Sequence, residues 1–362
     1  MSKQVVIVGS GNAALCAGIA ALEAGARVLI LEKAGEDLAG GNTKYTAGAM
    51  RFAYEGVNDL LPLLKDPDDP RLAFTDFGGY TKAKFSEDLL MFNGGRALSE
   101  EQQRLVENSL ATMQWLGEHG VKFEPIYSRQ SFEKDGRHVF WGGLTLAAEN
   151  EGVGLFEMEL AAFKQRGGNI RYNAAVTGLV VANDQVRGVL VGSEAISADA
   201  VILACGGFEA SSDLRKAWMG AYWDKAKVRG TPMNTGDGLV MATKIGAQSY
   251  GLIDGCHATP MDLHMADYGG LNLPASERKN YRKICYFLGV MLNANGERFV
   301  DEGENFRNYT YAQFGKAILS QPGHFARQVF DAKVDDLLNA EYRFHDALFI
   351  EAAALDALCV ML

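Results

Sequence analysis

The stretch VVIVGSGNAALCAGIAALEAGARVLILE, residues 5–32, decides the fold. Residues 5–8 are apolar and β-branched, residues 12–24 are rich in alanine, and residues 27–31 (RVLIL) are again apolar, so the pattern is strand, helix, strand. Gly9, Gly11 and Ala14 stand at the turn with the spacing G-x-G-x-x-A. Gly9 permits the tight turn, Gly11 lets backbone N–H groups approach a pyrophosphate at the helix N-terminus, and Ala14 lets the helix pack close to the strand. Glu32, with Lys33 beside it, closes the second strand about 20 residues on, where a carboxylate accepts ribose hydroxyls. An acid there argues against a ribose 2′-phosphate. The alternative, a glycine-rich helix start with no ligand, explains the glycines but not the acid.

Around this unit the composition is that of a folded protein. Of 362 residues, 48% are apolar and 22% charged, enough to bury a core, and the length suits two domains or one α/β domain with a large insertion. Thirty-five basic against 45 acidic residues give a net charge of −10, which argues against a nucleic-acid partner, since that surface must be basic. Cys16, Cys205, Cys256, Cys285 and Cys359 are widely spaced with no C-x-x-C pair, so neither a disulfide framework nor a zinc or iron–sulfur site is expected, and no metal. The N-terminal residues lack a secretory pattern, and no apolar run approaches the ~20 residues of a membrane span. The expectation is a soluble, cytoplasmic protein without a transmembrane segment.

Further along, Gly40-Gly41-Asn42-Thr43 forms a second glycine-rich loop, followed by a helix-compatible stretch at 47–54. KDPDDP at 65–70 reads as a loop. Helical spacing of apolar residues predicts a helix over 99–119, with Ser99 and Gln102 as a capping box, and another over 154–166. Strands are expected at 170–172, 174–181, 186–191 and 201–204, a meander laid against a parallel sheet. VILACGGF at 201–208 ends its strand in a double glycine, and Thr235-Gly236-Asp237-Gly238 caps a helix with Leu239, Met241, Ala242 and Ile245 on its apolar face. From about 252 the pattern is mixed, with a last helix expected at 347–358.

The dinucleotide motif by itself leaves NAD or FAD open. The Gly40–Thr43 loop, the CGGF strand end and the TGDG turn favour FAD. Together with Cys256-His257-Ala258 and Arg298-Phe299-Val300-Asp301-Glu302, these stretches resemble the flavoprotein family of fumarate reductases and succinate dehydrogenases. FGGY at 77–80, PIYSRQSF at 125–132, FWGGLT at 140–145, KVRGTPMNT at 227–235, CHATPMD at 256–262 and RNYTYA at 307–312 are similar to members that act on a tricarboxylate. The resemblance implies an α/β fold: a Rossmann-type FAD-binding domain over 1–250, with the small meander at about 170–205, and an inserted α+β capping domain, partial here, over 251–362.

The same resemblance implies the site. Gly9, Gly11, Ala14, Glu32 and Lys33 would hold the ADP half of FAD. Gly41, Asn42, Thr43, Ala47 and Gly48 would pass beside the ribityl chain and isoalloxazine, Val176 would meet the adenine through its backbone, and Asp237 would reach the flavin side. The bland readings are a helix cap for Asn42, Thr43 and Asp237, and a core position for Val176. His257 would donate to a substrate carboxylate. Arg307 would face the substrate carbon and move its proton, a task for which a guanidinium needs relay neighbours, with Glu302, Glu304, Glu277 and Arg282 as candidates. The implied reaction is FAD-dependent dehydrogenation of a di- or tricarboxylate by hydride transfer to flavin N5, with a separate electron-acceptor protein as a further partner. Alternatives are a fumarate-type reductase, a flavin steroid dehydrogenase, or a catalytically inactive flavin-binding fragment. Family members continue past Leu362 through a second histidine, a late G-E and an R-x-G-G-N motif, so the chain is expected to lack the C-terminal part of the fold and to have little activity.

Overall fold

The computed structural model describes residues 2–269, 273–274 and 277–361. They fall into two compact units: Met1–Gly207 with Asp237–Ala247, and Phe208–Gly236 with Gln248–Leu362.

The first unit is built on a parallel sheet whose strands run in the order Ala200–Leu203, Gln4–Val8, Arg27–Leu31, Asn169–Arg171. Val6, Ile7 and Ile30 are wholly buried there, as the continuous apolar runs require of a sheet covered on both faces. One face carries the helices Asn12–Glu23 and Glu151–Gln165, with Leu15, Ile19 and Phe163 in the shared core. The other carries the antiparallel meander Val176–Ala182, Gln185–Val191, Glu194–Ser197, whose Val176 and Val189 pack with Val6, Val8 and Leu31. The expected meander is therefore present with different membership. The strands at 169–171 and 200–203 belong to the parallel sheet, and Glu194–Ser197, which has no apolar run to announce it, supplies the third antiparallel strand.

The capping box at Ser99 and Gln102 forms at the head of the Glu100–Glu118 helix, both of its hydrogen bonds in place. Residues 47–54 are not helical. Gly48, at φ +63°, turns the chain into the strand Ala49–Met50, which pairs with Leu146–Ala148, and Tyr54 bridges to Tyr80. Local alanine propensity yields here to strand pairing and to the burial of Phe52 and Tyr54. In the Asp237–Lys244 helix Met241 is buried while Leu239 and Ile245, expected on the apolar face, are exposed.

The second unit has little regular structure: a helix over Ser212–Met219, the two-stranded pair Val290–Leu292 with Arg327–Val329, the helix Arg307–Leu319 and short 3-10 turns. Its core gathers Ile284, Tyr286, Met291 and Phe314. The last helix covers Leu355–Met361 rather than 347–358. Upstream, the chain makes tertiary bonds instead: the Leu348 N–H donates to Asp262 Oδ2 at 3.0 Å, and Tyr281 Oη donates to Asp346 Oδ2 at 2.7 Å.

Candidate functional site

In the first unit the chain leaves its first strand at Gly9 with φ +101°. A Cβ at Gly9 would lie 2.5 Å from the Ala204 carbonyl oxygen and 2.8 Å from Cys205 Cα, so the glycine answers first to the neighbouring strand's exit. Gly11 is the helix N-cap, in extended conformation, and the helix starts at Asn12. With no side chain at Gly11 to cap it, Thr43 Oγ1 accepts the Asn12 N–H at 2.9 Å. The cap reading of Thr43 is thus present, reached across 31 residues of sequence.

Glu32 is buried with both oxygens engaged. Ser10 Oγ donates to Oε2 at 2.6 Å and the Ala34 N–H to Oε1 at 2.8 Å, while Ser10 Oγ accepts from the Gly40 N–H at 3.1 Å. Each carboxylate oxygen keeps a further lone pair, which a pair of ribose hydroxyls can use. Ser10, between the two glycines, escaped the sequence reading; its hydroxyl ties acid and second loop together. Lys33 Nζ and Asp237 Oδ2, expected separately at the cofactor, form an ion pair at 2.7 Å. Gly40 and Gly41 are both left-handed, at φ +107° and +55°, and Asn42 is half-buried in the 3-10 turn Gly41–Tyr45. Ala47 precedes Gly48, where a Cβ would stand 2.6 Å from the Glu151 carbonyl carbon. Val176 is a core residue.

One further group lies beneath this seat. Glu159 is fully buried, its Oε2 without a hydrogen-bond partner, and its Oε1 is 3.7 Å from Cys16 Sγ. Cys16 Sγ also lies 3.2 Å from Asn12 Oδ1. Burial pushes the Glu159 carboxyl up to about 8, against a smaller opposing effect of the Cys16 hydrogen bond, so at neutral pH it is mostly protonated. Burial, with Glu159 beside it, also pushes the Cys16 thiol up, which leaves it unreactive.

In the second unit His257 Nε2 is 3.1 Å from Tyr311 Oη, the two rings edge to face at 5.1 Å. Tyr311 is four residues past Arg307 on one helix, so those two share a helix face. The surrounding protein, and then the Arg229 guanidinium, hold His257 below the ordinary histidine value, in the neutral form, although the residue remains exposed at its surface. Among the relay candidates, Glu302 is committed: it is buried, accepts the Met291 N–H and is paired with Arg298. Arg282 pairs with Glu341 at 2.7 Å, Glu277 stands 3.8 Å from His345, and Glu304 is exposed. Among the described residues no His, Cys, Asp and Glu cluster could hold a metal ion, and no helix is long and apolar enough to cross a membrane.

The seat in the first unit has the chemistry of a dinucleotide site: a helix N-terminus opened by glycine, a carboxylate fixed at the end of the second strand, and a glycine-rich loop beside both. Residues 4–354 match the family described as FAD binding domain, and the chain belongs to that family. Its cofactor is therefore FAD, and the residues present fit it. Within the family the chain resembles "Probable fumarate reductase Ifc3" of Shewanella frigidimarina, 30% identical over 91% of this chain and 50% of that protein. It also resembles the vinyl phenol reductase of Lactiplantibacillus plantarum, 27% identical over 93% of this chain and 62% of that one. The open conformation of a flavocytochrome c3 fumarate reductase shares the fold, with a TM-score of 0.66 at 24% identity, covering 95% of this chain and 55% of that one. The chain thus spans about half to three-fifths of the length of these proteins.

Proposed function

We propose that the protein is an FAD-dependent oxidoreductase that interconverts CH–CH and C=C bonds in a small polycarboxylate, and specifically that it dehydrogenates a tricarboxylate such as tricarballylate to cis-aconitate, the reaction implied by the motifs at 77–80, 125–132, 140–145 and 256–262. The observation that supports this reading is the contact of His257 with Tyr311, which stands four residues past Arg307 on one helix, in a chain whose other unit has the chemistry of a dinucleotide seat. When bound, FAD supplies the acceptor or donor of a hydride. Gly9, Gly11, Ala14 and Glu32 hold its ADP half, with Ser10 orienting the acid.

Arg307 offers a planar fork of donors to one carboxylate, and His257, kept neutral, offers one N–H. The reading requires these two donors to converge on one anion, which must shed water to bind there. Arg307 is a poor base without a relay, and Glu302 is held by Arg298 and Met291, so its role in this reading is to fix the anion rather than to move a proton. The second reading, a fumarate-type reductase, is supported by the similarity to the probable fumarate reductase of Shewanella frigidimarina and needs the same donors run in the opposite direction. A steroid dehydrogenase calls instead for an apolar pocket, and the Arg307 and His257 pair argues against it. A cytoplasmic setting and a separate electron-acceptor protein are part of the same proposal.

The test is purified protein assayed with tricarballylate and an artificial electron acceptor, then with fumarate and a reduced viologen dye, alongside Arg307→Ala. Turnover of tricarballylate lost in the variant supports the first reading, and turnover of fumarate alone the second. Flavin absorbance with no turnover of either substrate supports an inactive flavin-binding chain.

A further inference from the structure

Three contacts join the Arg307–Leu319 helix to the segment that carries His257. Tyr311 Oη meets His257 Nε2 at 3.1 Å. The Ala258 N–H donates to the Ala312 carbonyl at 2.8 Å, and the Gly315 N–H donates to the Ala258 carbonyl at 2.9 Å. A Cβ built on Gly315 would lie 2.5 Å from the Ala258 carbonyl carbon, 2.6 Å from its oxygen and 2.8 Å from the Thr259 nitrogen. Atoms that close leave no room for any side chain, and the obstruction is backbone that no rotamer change relieves. Arg307, Tyr311 and Gly315 recur every four residues, so the seat of the segment, the partner of the imidazole and the anion-binding guanidinium all lie along one stripe of one helix.

From this juxtaposition we infer that Tyr311 and Gly315 are positioning residues: Gly315 sets the register of the His257 segment against the helix, and the Tyr311 hydroxyl donates to Nε2 and so commits the imidazole to the Nδ1–H tautomer, leaving His257 to present that N–H from a fixed place beside the helix that carries Arg307. The inference rests on reading His257 and Arg307 as the substrate's donors. A neutral imidazole has one N–H and two nitrogens that compete for it, and the hydrogen bond made at one nitrogen decides what the other can do. If the Tyr311 hydroxyl donates to Nε2, the proton sits on Nδ1, which is then the donor for a carboxylate. Removing the hydroxyl then frees the ring to populate both tautomers. The two backbone bonds at Ala258 leave the segment little freedom to slide, which matters because a displacement of about 1 Å is enough to spoil alignment at a reacting centre.

The experiment uses flavin-loaded protein with 15N-labelled histidine. The His257 nitrogen signals are assigned with His257→Gln, and the tautomer is read from their shifts in wild type, Tyr311→Phe and Gly315→Ala. Binding of tricarballylate and of fumarate is followed through the flavin spectrum. Wild type should show one tautomer and Tyr311→Phe a mixture of the two, with flavin content unchanged and carboxylate binding weakened about five- to tenfold. Gly315→Ala should also lose the single tautomer, with a larger loss of binding. A single tautomer that survives in Tyr311→Phe overturns the inference, and if Gly315→Ala does not fold the tyrosine variant still decides it. Unaltered carboxylate binding in His257→Gln overturns the underlying reading of the site instead, because the tautomer is measured without substrate.

Discussion

The seat proposed for FAD and the helix face proposed for the substrate are shaped in opposite ways. In the first unit the shape comes from side chains that are missing. Gly9 lies against the exit of a neighbouring strand and Gly48 against the turn at Glu151, while the one acid at the strand end is locked by Ser10 and Ala34. In the second unit the shape comes from side chains that are present, carried by a single helix whose one essential glycine, Gly315, serves only to let a neighbouring segment close on it. A seat made of backbone gives a fixed outline for an invariant cofactor. A face made of side chains can be altered one residue at a time without disturbing the sheet, as a substrate-selecting surface must allow.

Substitutions at Gly9 should have the largest effect. Gly9→Val adds a branched side chain at φ +101° where even a Cβ meets backbone at 2.5 Å, so a loss of at least about 3 kcal/mol of stability is expected. Thermal unfolding and flavin absorbance at 450 nm should both show it. A variant that keeps wild-type melting and full flavin would break the idea that backbone closeness defines the seat.

Glu159→Gln comes next, and its effect depends on pH. The folded carboxyl titrates near 8 against 4.5 for the ordinary group, so the folded state holds its proton more tightly than the unfolded one. The contribution of this group to stability is therefore full below about pH 4.5 and falls as pH rises through about 8, by on the order of 3–5 kcal/mol. The glutamine variant should match wild type near pH 4.5, be more stable at pH 9, and flatten the wild-type decline; denaturant titrations at both values check it. A variant curve parallel to wild type across that range would show that the buried carboxyl does not set the pH response of the first unit.

Two smaller changes sharpen the contrast. Ser99→Ala removes the N-cap of a capping box, at a cost of about 1 kcal/mol in urea unfolding, with flavin content untouched because the bonds of the cap run between Ser99, Gln102 and Asn93 rather than to the residues of the seat. Lys33→Met breaks a partly exposed ion pair with Asp237 and should cost under about 1 kcal/mol, less in high salt. A large loss of FAD in Lys33→Met would move the lysine from the frame of the seat into contact with the cofactor.

The same division governs what the residues announce by themselves. The β-α-β unit, the G-x-G-x-x-A spacing, Glu32 and the capping box are local patterns, each completed within a few turns of chain, and all are visible in sequence. Residues 47–54 misled because alanine propensity says nothing of the strand at 146–148 that captures them. Nothing in the sequence by itself marks Glu159 as buried, since an acid in a helix ordinarily lies on the solvated face. Yet the buried positions Leu155, Phe156, Glu159, Ala162 and Phe163 keep helical spacing, with the acid at the centre of the stripe. In the second unit His257 and Arg307 stood out only through a resemblance. The four-residue spacing of Arg307, Tyr311 and Gly315 was present in the sequence, but its meaning depends on a segment about fifty residues earlier folding onto that helix.

The place of the first strand also bears on how the chain is made. Gln4–Val8 lies between Arg27–Leu31 and Ala200–Leu203, and the side chain of Asp199 accepts the Gln4 N–H across 195 residues. A ribosome adding roughly 5–20 residues per second needs on the order of 10–40 s between releasing the first strand and releasing its second neighbour. Through that interval one edge of the nascent strand is without its ladder and the Gly9 turn lacks the strand it will lie against. Pairing over such a distance in sequence is slow to form and leaves an apolar edge open to other chains. The yield of soluble protein should therefore rise when a holding chaperone is supplied during synthesis.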